Sequence, residues 1–329
     1  MSKINWGILG TSRIAVRRLI PAIQETSSGV VLGMASRDGD KAKRVSAELQ
    51  LSRWYGSYEE MLADPEIQAV YNPLPNHLHL PYTLAALQSG KHVLVEKPLT
   101  CNARQAQEMY DALQRYPQLK VMEAFMYRFH PQWLKVREIM DSGVLGTVRT
   151  IHAWFSYFSD DPVDYRQNPH MGGGALLDVG CYCVSVARML FAGEPSQVLG
   201  TLDVDPRFGI DRVVAGQLLF NNGIGTFTCG SQLAENQYVH IYGDKAALLV
   251  ETPFIPPLDR PVRLTIQNEE KQEEILVPPQ DHFVLQCEAF QRAILDDTPV
   301  PWTLADSVRN MQVLDAISAS HSAHGWVAI

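Results

Sequence analysis

The sequence predicts an α/β Rossmann domain built on a doubly wound parallel sheet, followed by an α+β domain with a mostly antiparallel open sheet. Three observations predict it. Short apolar runs alternate with helix-like stretches up to about Glu123, a glycine-bearing turn directly follows the first run, and the rhythm changes after Pro131 to longer strand-like segments. At 329 residues the chain exceeds what one hydrophobic core serves well, so two domains are expected, residues 1–123 and 124–329.

In the first part the apolar runs are residues 4–9, 30–35, 69–71, 92–95 and 119–122, short and apolar enough for strands buried on both faces. Between them, residues 41–49 and 80–89 repeat apolar side chains at three and four positions, which predicts helices and right-handed crossovers. In the second part a helical segment runs to Asp141, residues 150–158 read as a long strand, and a glycine run at 172–174 precedes a helical pattern over 175–190. Strands follow at 212–220, 223–229, 237–242, 246–251 and 262–267, with Asn221, Asn222 and Gly223 forming a hairpin turn. Residues 252–261, with four prolines, predict an irregular loop, and two helices near 282–295 and 304–320 close the chain.

Composition narrows the function classes. Hydrophobic residues at 46% and charged residues at 19% are those of a chain that folds throughout. A net charge of -8 argues against nucleic-acid or anionic-membrane partners, so an anionic ligand needs a local site. A strand pattern begins within a few residues of Met1, and no apolar run approaches the roughly 18 residues of a membrane span, which together predict a cytoplasmic protein. Five cysteines, Cys101, Cys181, Cys183, Cys229 and Cys287, form no C-x-x-C pair and are expected as free thiols, without structural zinc.

The segment Gly7-Ile8-Leu9-Gly10-Thr11-Ser12-Arg13-Ile14-Ala15 places a tight turn at a helix N-terminus, where unpaired N–H groups and the helix dipole can receive a pyrophosphate. Gly10 and Ala15 match the dinucleotide pattern G-x-G-x-x-G/A, while Ser12 replaces its middle glycine. An ordinary strand-to-helix turn would also carry a glycine there; the strand and helix that follow favour a cofactor. After the second strand stand Ser36 and Arg37, with Lys41 a turn further on. A hydroxyl and a guanidinium suit the 2′-phosphate of NADP(H) better than the ribose of NAD(H), although Asp38 leaves NAD(H) possible.

With Leu74-Pro75-Asn76-His77-Leu78-His79, residues 90–98 ending in Glu96-Lys97-Pro98, Tyr127-Arg128-Phe129-His130-Pro131 and residues 172–182, the chain resembles the glucose-fructose oxidoreductase/inositol dehydrogenase/MocA family over its first 190 residues. The resemblance implies an oxidoreductase acting on CH–OH groups, with Lys97 directed at the substrate beside the nicotinamide. It also implies cofactor contacts at Leu74, Asn76, His79, Glu96 and Arg128. Tyr182 stands where inositol dehydrogenase-like members have histidine, a departure shared by the branch that contains xylose dehydrogenases and dimeric dihydrodiol dehydrogenases. Homo-oligomers, dimer or tetramer, paired through the sheet face are implied as well.

Asp178 and Tyr182 are four apart in a helical pattern and so share a face. A phenol can carry the proton of a carbinol oxygen when a nearby cation favours its ionised form, which predicts Tyr182 as acid/base, Lys97 as electrostatic partner and Asp178 as orienter of substrate hydroxyls. Lys97 and Tyr182 can exchange the proton-carrying role. Tyr127, Arg128 and Arg166 either line the pocket or form structural ion pairs. His77 and His79 lack a matching ligand cluster, so metal catalysis is not expected. The function expected is NADP(H)-linked hydride transfer on a sugar, polyol or keto-sugar, with a trans-dihydrodiol dehydrogenase as the alternative enzyme. A catalytically silent dinucleotide sensor is the alternative from another class, disfavoured by Lys97, Asp178 and Tyr182 occurring together.

Overall fold

The computed structural model describes residues 3–329, which divide into two compact units. The first comprises the chain up to Met126 together with Asp281–Val308, and the second comprises Tyr127–Gln280 and Arg309–Ile329.

The first unit follows the predicted alternation: β1 (Ile4–Leu9), α1 (Ile20–Glu25), β2 (Gly29–Ala35), α2 (Gly39–Glu48), β3 (Arg53–Tyr55), α3 (Tyr58–Ala63), β4 (Ala69–Asn72), α4 (His79–Gln88), β5 (His92–Val95), α5 (Ala103–Leu113) and β6 (Val121–Glu123). All strand pairs are parallel, in the order β3-β2-β1-β4-β5-β6. The order reverses between β1 and β4, and in such sheets ligands bind beyond the carboxyl ends of the strands at that reversal. Trp6, Ile8, Tyr71, Leu94 and Val95 are fully buried, which is why these strands read as unbroken apolar runs. The sequence pattern misses β3, three residues carrying an arginine and a half-exposed tryptophan. Its partner explains it: a Cβ on Gly33 would lie 2.7 Å from the Arg53 carbonyl oxygen, so only glycine lets β3 approach β2.

In the second unit α6 (Gln132–Asp141) and β7 (Val148–Phe158) lead to α7 (Cys181–Phe191), preceded by a π-turn over Leu176–Gly180. The strands β8 (Gln197–Val204), β9 (Asp211–Phe220), β10 (Gly223–Gly230), β11 (Gln232–Gly243), β12 (Ala247–Val250), β13 (Val262–Gln267) and β14 (Gln272–Val277) then complete most of the sheet. The sheet has nine strands, and its only parallel pair among the described residues is β7 with β10. The predicted hairpin is present, with Phe220 paired to Gly223.

Along one face of β7, Ile151 and Ala153 are buried, and the Phe155 ring meets Tyr182 of α7 at 5.3 Å. On the other face Trp154 stacks on Tyr238 at 6.1 Å, beside His152 and His240, all partly exposed. The helical stretch Pro169–Phe191 is long and apolar enough to cross a membrane by length and composition, contrary to the expectation that no run approached that limit, but 89% of its apolar window is buried inside the protein.

The single boundary expected at residue 123 is corrected by the last part of the chain. Helix α8 (His282–Leu295) belongs to the first unit, where Phe290 meets the Trp6 ring at 5.6 Å and Gln291 Oε1 accepts from Ser28 Oγ at 2.6 Å. The division between units falls within α9 (Leu304–Ala323), and β15 (Val327–Ala328) edges the second sheet beside β8. The apolar face of α8 is legible in its spacing, but which core it joins is decided by tertiary packing.

Candidate active site

At the end of β1, Gly10 has φ of 80° and donates its N–H to the Ala35 carbonyl at 2.8 Å. Its conformation favours glycine at the sheet's reversal point, and a Cβ there would also crowd Leu74 Cδ2 at 3.0 Å. Ser12, in place of the usual middle glycine, accepts from the Ala15 N–H with its Oγ at 3.3 Å and so caps the helix that follows. Thr11, Ser12 and Ile14 are half-buried and Arg13 is exposed at this helix start.

Beyond β2, Ser36 is buried and accepts from the Asp38 N–H at 3.1 Å, while Arg37 and Lys41 are exposed. Asp38 accepts from the Lys41 N–H at 3.0 Å, so its carboxylate caps α2. Tyr58 was not anticipated. It is buried at the start of α3, and its phenol oxygen stands 3.7 Å from the Cβ position of Gly10. Burial raises its pKa above the ordinary phenol value, and the neighbouring Arg37 guanidinium opposes that rise. The pattern Ser57-Tyr58-Glu59-Glu60, in which Glu60 N–H donates to Ser57 Oγ at 3.0 Å, is a helix-start signature from which α3 was readable.

Where β5 ends, Tyr71 donates to Glu96 Oε1 at 2.5 Å and Glu96 Oε2 accepts from the Lys97 N–H at 3.2 Å, leaving Lys97 half-buried. Leu74 and Asn76 are buried on the neighbouring loop after β4. His79 corrects an expectation. Read from the resemblance as a cofactor contact, it has no exposed surface, and its ring nitrogens lie 2.7 Å from the Leu74 carbonyl and 2.9 Å from that of Pro98. It is packed between the loops that carry Leu74 and Lys97 and, as a neutral imidazole with one N–H, donates to one of the two carbonyls, so its role is positioning. Burial lowers its pKa to about 4, which keeps the imidazole neutral at pH 7.

The functional end of the second unit starts from the glycine run. Gly172 and Gly174 have φ of 78° and 115°, and a Cβ on Gly173 would lie 2.4 Å from the Arg166 carbonyl oxygen. The run therefore folds tightly around Arg166. From there Arg166 Nε donates to Asp178 Oδ1 at 3.1 Å, and Tyr157 donates to Asp178 Oδ2 at 2.6 Å. Asp178, expected to orient substrate hydroxyls, is thus itself held at both oxygens. The sequence left a structural ion pair open for Arg166, and the structure contains it. Asp178 sits in the π-turn and Tyr182 in α7, so their spacing of four is not that of one regular helix; π-turns recur at functional sites.

Tyr182 is buried against Tyr127, Phe155 and Phe254, with ring centroids 5.3–5.6 Å away. Tyr127, expected to line a pocket, has no exposed surface and packs against Tyr182, with its hydroxyl 2.6 Å from Ser185 Oγ. Arg128, expected at the cofactor, is buried and donates to the same Ser185 oxygen at 3.1 and 2.7 Å. Ser185 and Asp211 carried no sequence signal. Asp211 Oδ2 accepts from the Leu176 N–H at 2.6 Å, and burial raises its carboxyl to about 6.

Residues 4–125 match the model described as "Oxidoreductase family, NAD-binding Rossmann fold", and residues 133–249 match "GFO/IDH/MocA C-terminal domain". The chain belongs to the GFO/IDH/MocA oxidoreductase family. It is 39% identical to an uncharacterized oxidoreductase, ORF334, of Rhizobium meliloti over 100% of both chains. It is 36% identical to D-xylose 1-dehydrogenase (NADP(+)) 2 of Haloferax volcanii over 96% of each. Among solved structures it is similar to KijD10, a 3-ketoreductase from Actinomadura kijaniata in complex with NADP and TDP-benzene, with a TM-score of 0.92 and 31% identity over 97% of this chain and 98% of that one. The Gly10 turn, the capped helix at Ser12 and the exposed Arg37 fit the dinucleotide of an NAD-binding Rossmann domain.

Two buried imidazoles give this oxidoreductase a pH signature. His79 and His130 are both lowered from 6.5 to about 4 by burial. Between those values the unfolded chain binds protons that the folded one refuses, so stability falls as pH drops through this window and levels off below it. For His79 the displacement corresponds to about 3 kcal/mol. Urea unfolding at a series of pH values should show the decline between pH 6.5 and 4, reduced in His79→Gln. A flat wild-type profile across that window contradicts the neutral buried state.

Proposed function

We propose that the chain is an NADP(H)-dependent dehydrogenase or reductase that acts on a carbinol or carbonyl of a sugar, polyol or keto-sugar. The observation that carries the cofactor choice is Asp38. Its carboxylate caps α2, while Arg37 is exposed beside Tyr58 and next to the buried Ser36 hydroxyl. A 2′-phosphate finds a guanidinium fork there. The NADP(+)-linked xylose dehydrogenase and the NADP-bound 3-ketoreductase among its relatives support the same choice.

Arg37→Ala should weaken NADP(H) binding roughly 10- to 150-fold, since hydrogen bonds to charged groups contribute about 1.5–3 kcal/mol, and should barely change NAD(H) binding. Tryptophan-fluorescence titration with both cofactors reads this. Equal losses, or a wild type that prefers NAD(H), refute the assignment.

When bound, the nicotinamide supplies or accepts the hydride. The protein's share is the proton on the substrate oxygen. Lys97 follows Glu96, whose carboxylate is fixed by Tyr71, and Tyr182 follows the Asp178 turn on α7, so both groups sit on firmly held backbone. In this reading Lys97 and Tyr182 share proton transfer and stabilisation of the developing oxyanion, while Asp178 acts with Arg166 and Tyr157 as a fixed acceptor for hydroxyls. Lys97→Ala and Tyr182→Phe should each lower kcat with cofactor affinity nearly intact, by about 10²–10⁴-fold for the proton carrier. The double variant should lose much less than the product of the single losses. Near-wild-type kcat in both single variants would show these roles to be misassigned.

The same proposal includes a homo-oligomer formed through the sheet face bearing Trp154 and Tyr238, a half-exposed aromatic surface of the kind interfaces favour. Light scattering should give at least a dimer mass. A monomer at high micromolar concentration removes it.

A further inference from the structure

We infer that the functional end of the second unit takes an uncharged polyhydroxylated molecule, a free sugar or polyol, and not a sugar joined to a nucleotide diphosphate. The inference rests on the sugar-oxidoreductase reading above and narrows it. Proteins hold phosphate with guanidinium groups, glycine-rich turns and helix N-termini. All three devices are present around Asp178, and each is already engaged by the protein's own groups, the guanidinium through its Nε and Nη1 and by two carboxylates that offset its charge.

The guanidinium is Arg166. Its Nε serves Asp178 at 3.1 Å, and its Nη1 lies 3.3 and 3.4 Å from the two oxygens of Asp164. Those carboxylates raise its pKa well above the ordinary guanidinium value, the mark of a cation already neutralised. The glycine turn is similarly closed: the N–H groups of Gly172, Gly173 and Gly174 donate to the carbonyls of Pro169, Asn168 and Arg166 at 3.2, 3.0 and 3.0 Å. At the start of the π-turn Asp211 stands where an anion would, accepting from the Leu176 N–H at 2.6 Å.

The nearby arginines add nothing for an incoming anion. Arg207 lies 3.6 Å from Asp160 and 3.8 Å from Asp205, and Arg212 pairs with Asp203 at 2.9 Å. Between Tyr157 and Asp178 the chain carries four carboxylates, Asp160, Asp161, Asp164 and Asp178, against one guanidinium. A diphosphate is doubly negative and accepts hydrogen bonds only, so it meets donors already engaged by carboxylates and carbonyls, and like charge, here. Sugar hydroxyls donate as well as accept, so they can meet carboxylates that a phosphate cannot. Charge thus discriminates between the two substrate chemistries, largely by repulsion.

The test is isothermal titration of the NADPH-loaded protein with a panel of neutral aldoses and polyols that includes D-xylose, and separately with TDP. NADPH keeps TDP out of the dinucleotide site. At least one neutral sugar should bind, and TDP should show no heat at millimolar concentration. Asp164→Asn keeps the acceptor for the Arg166 N–H (3.0 Å in the native chain) yet removes a carboxylate charge beside the guanidinium, so TDP that gives no heat with the native protein should give heat with the variant at the same millimolar concentration. Micromolar TDP binding by the native protein, or no binding of any neutral sugar, overturns the inference. Sugar binding without hydride transfer to any cofactor leaves the inference standing and defeats the oxidoreductase reading on which it was built.

Discussion

The grip of Arg166 and Tyr157 on the two oxygens of Asp178 organises the functional end of the second unit, because a carboxylate with little exposed surface must be matched by donors from the fold itself. Arg166 can reach it only because the glycine run wraps tightly against the Arg166 backbone, and the run leads directly into the π-turn that carries Asp178. An ion pair of this kind adds little net stability, since desolvation offsets most of the attraction. Removing either partner, however, leaves a charge poorly solvated. The pair is therefore better read as fixing geometry than as strengthening the fold, and it delivers Tyr182 on a helix whose start cannot drift.

The first unit reaches its functional geometry by a related route. Gly10 allows β1 to turn sharply against Leu74, and the buried His79 ring packs between the Leu74 loop and the segment after Lys97, donating to one of their carbonyls. Helix capping decides the remaining chemistry. Asp38, the residue that would favour an NAD ribose, caps α2 through one carboxylate oxygen, and the exposed Arg37 stands beside it. In both units a side chain that looks catalytic or cofactor-binding by type is also a structural fixture: Asp38 caps α2, and Asp178 is held by Arg166 and Tyr157.

Much of this was legible in the sequence where the signal is local. The limits of β1, β5, β13 and α8 coincide with apolar runs and periodicity, and the Asn-Asn-Gly turn predicts the β9–β10 hairpin. The glycine turn, Glu96-Lys97-Pro98 and the Asp178 segment were also readable, through motif and family resemblance. What escaped depends on contacts distant in sequence. Strand β14 reads as polar because it is the sheet's edge, where glutamates are tolerated. Tyr58, Ser185 and Asp211 matter only through partners 21 or more residues away. The winding of Leu176–Gly180 as a π-turn shifts Asp178 relative to Tyr182 in a way that spacing alone does not reveal.

The proposed reaction moves hydride between NADP(H) and the carbinol carbon of a neutral sugar or polyol. Isotope transfer tests that most directly. Incubated with NADP+ and neutral aldoses or polyols deuterated at the reacting carbon, such as D-xylose deuterated at its anomeric carbon, the protein should place deuterium on the nicotinamide ring, read by mass spectrometry and proton NMR of the recovered cofactor. Cofactor that binds yet gains no deuterium from any of these substrates would contradict it.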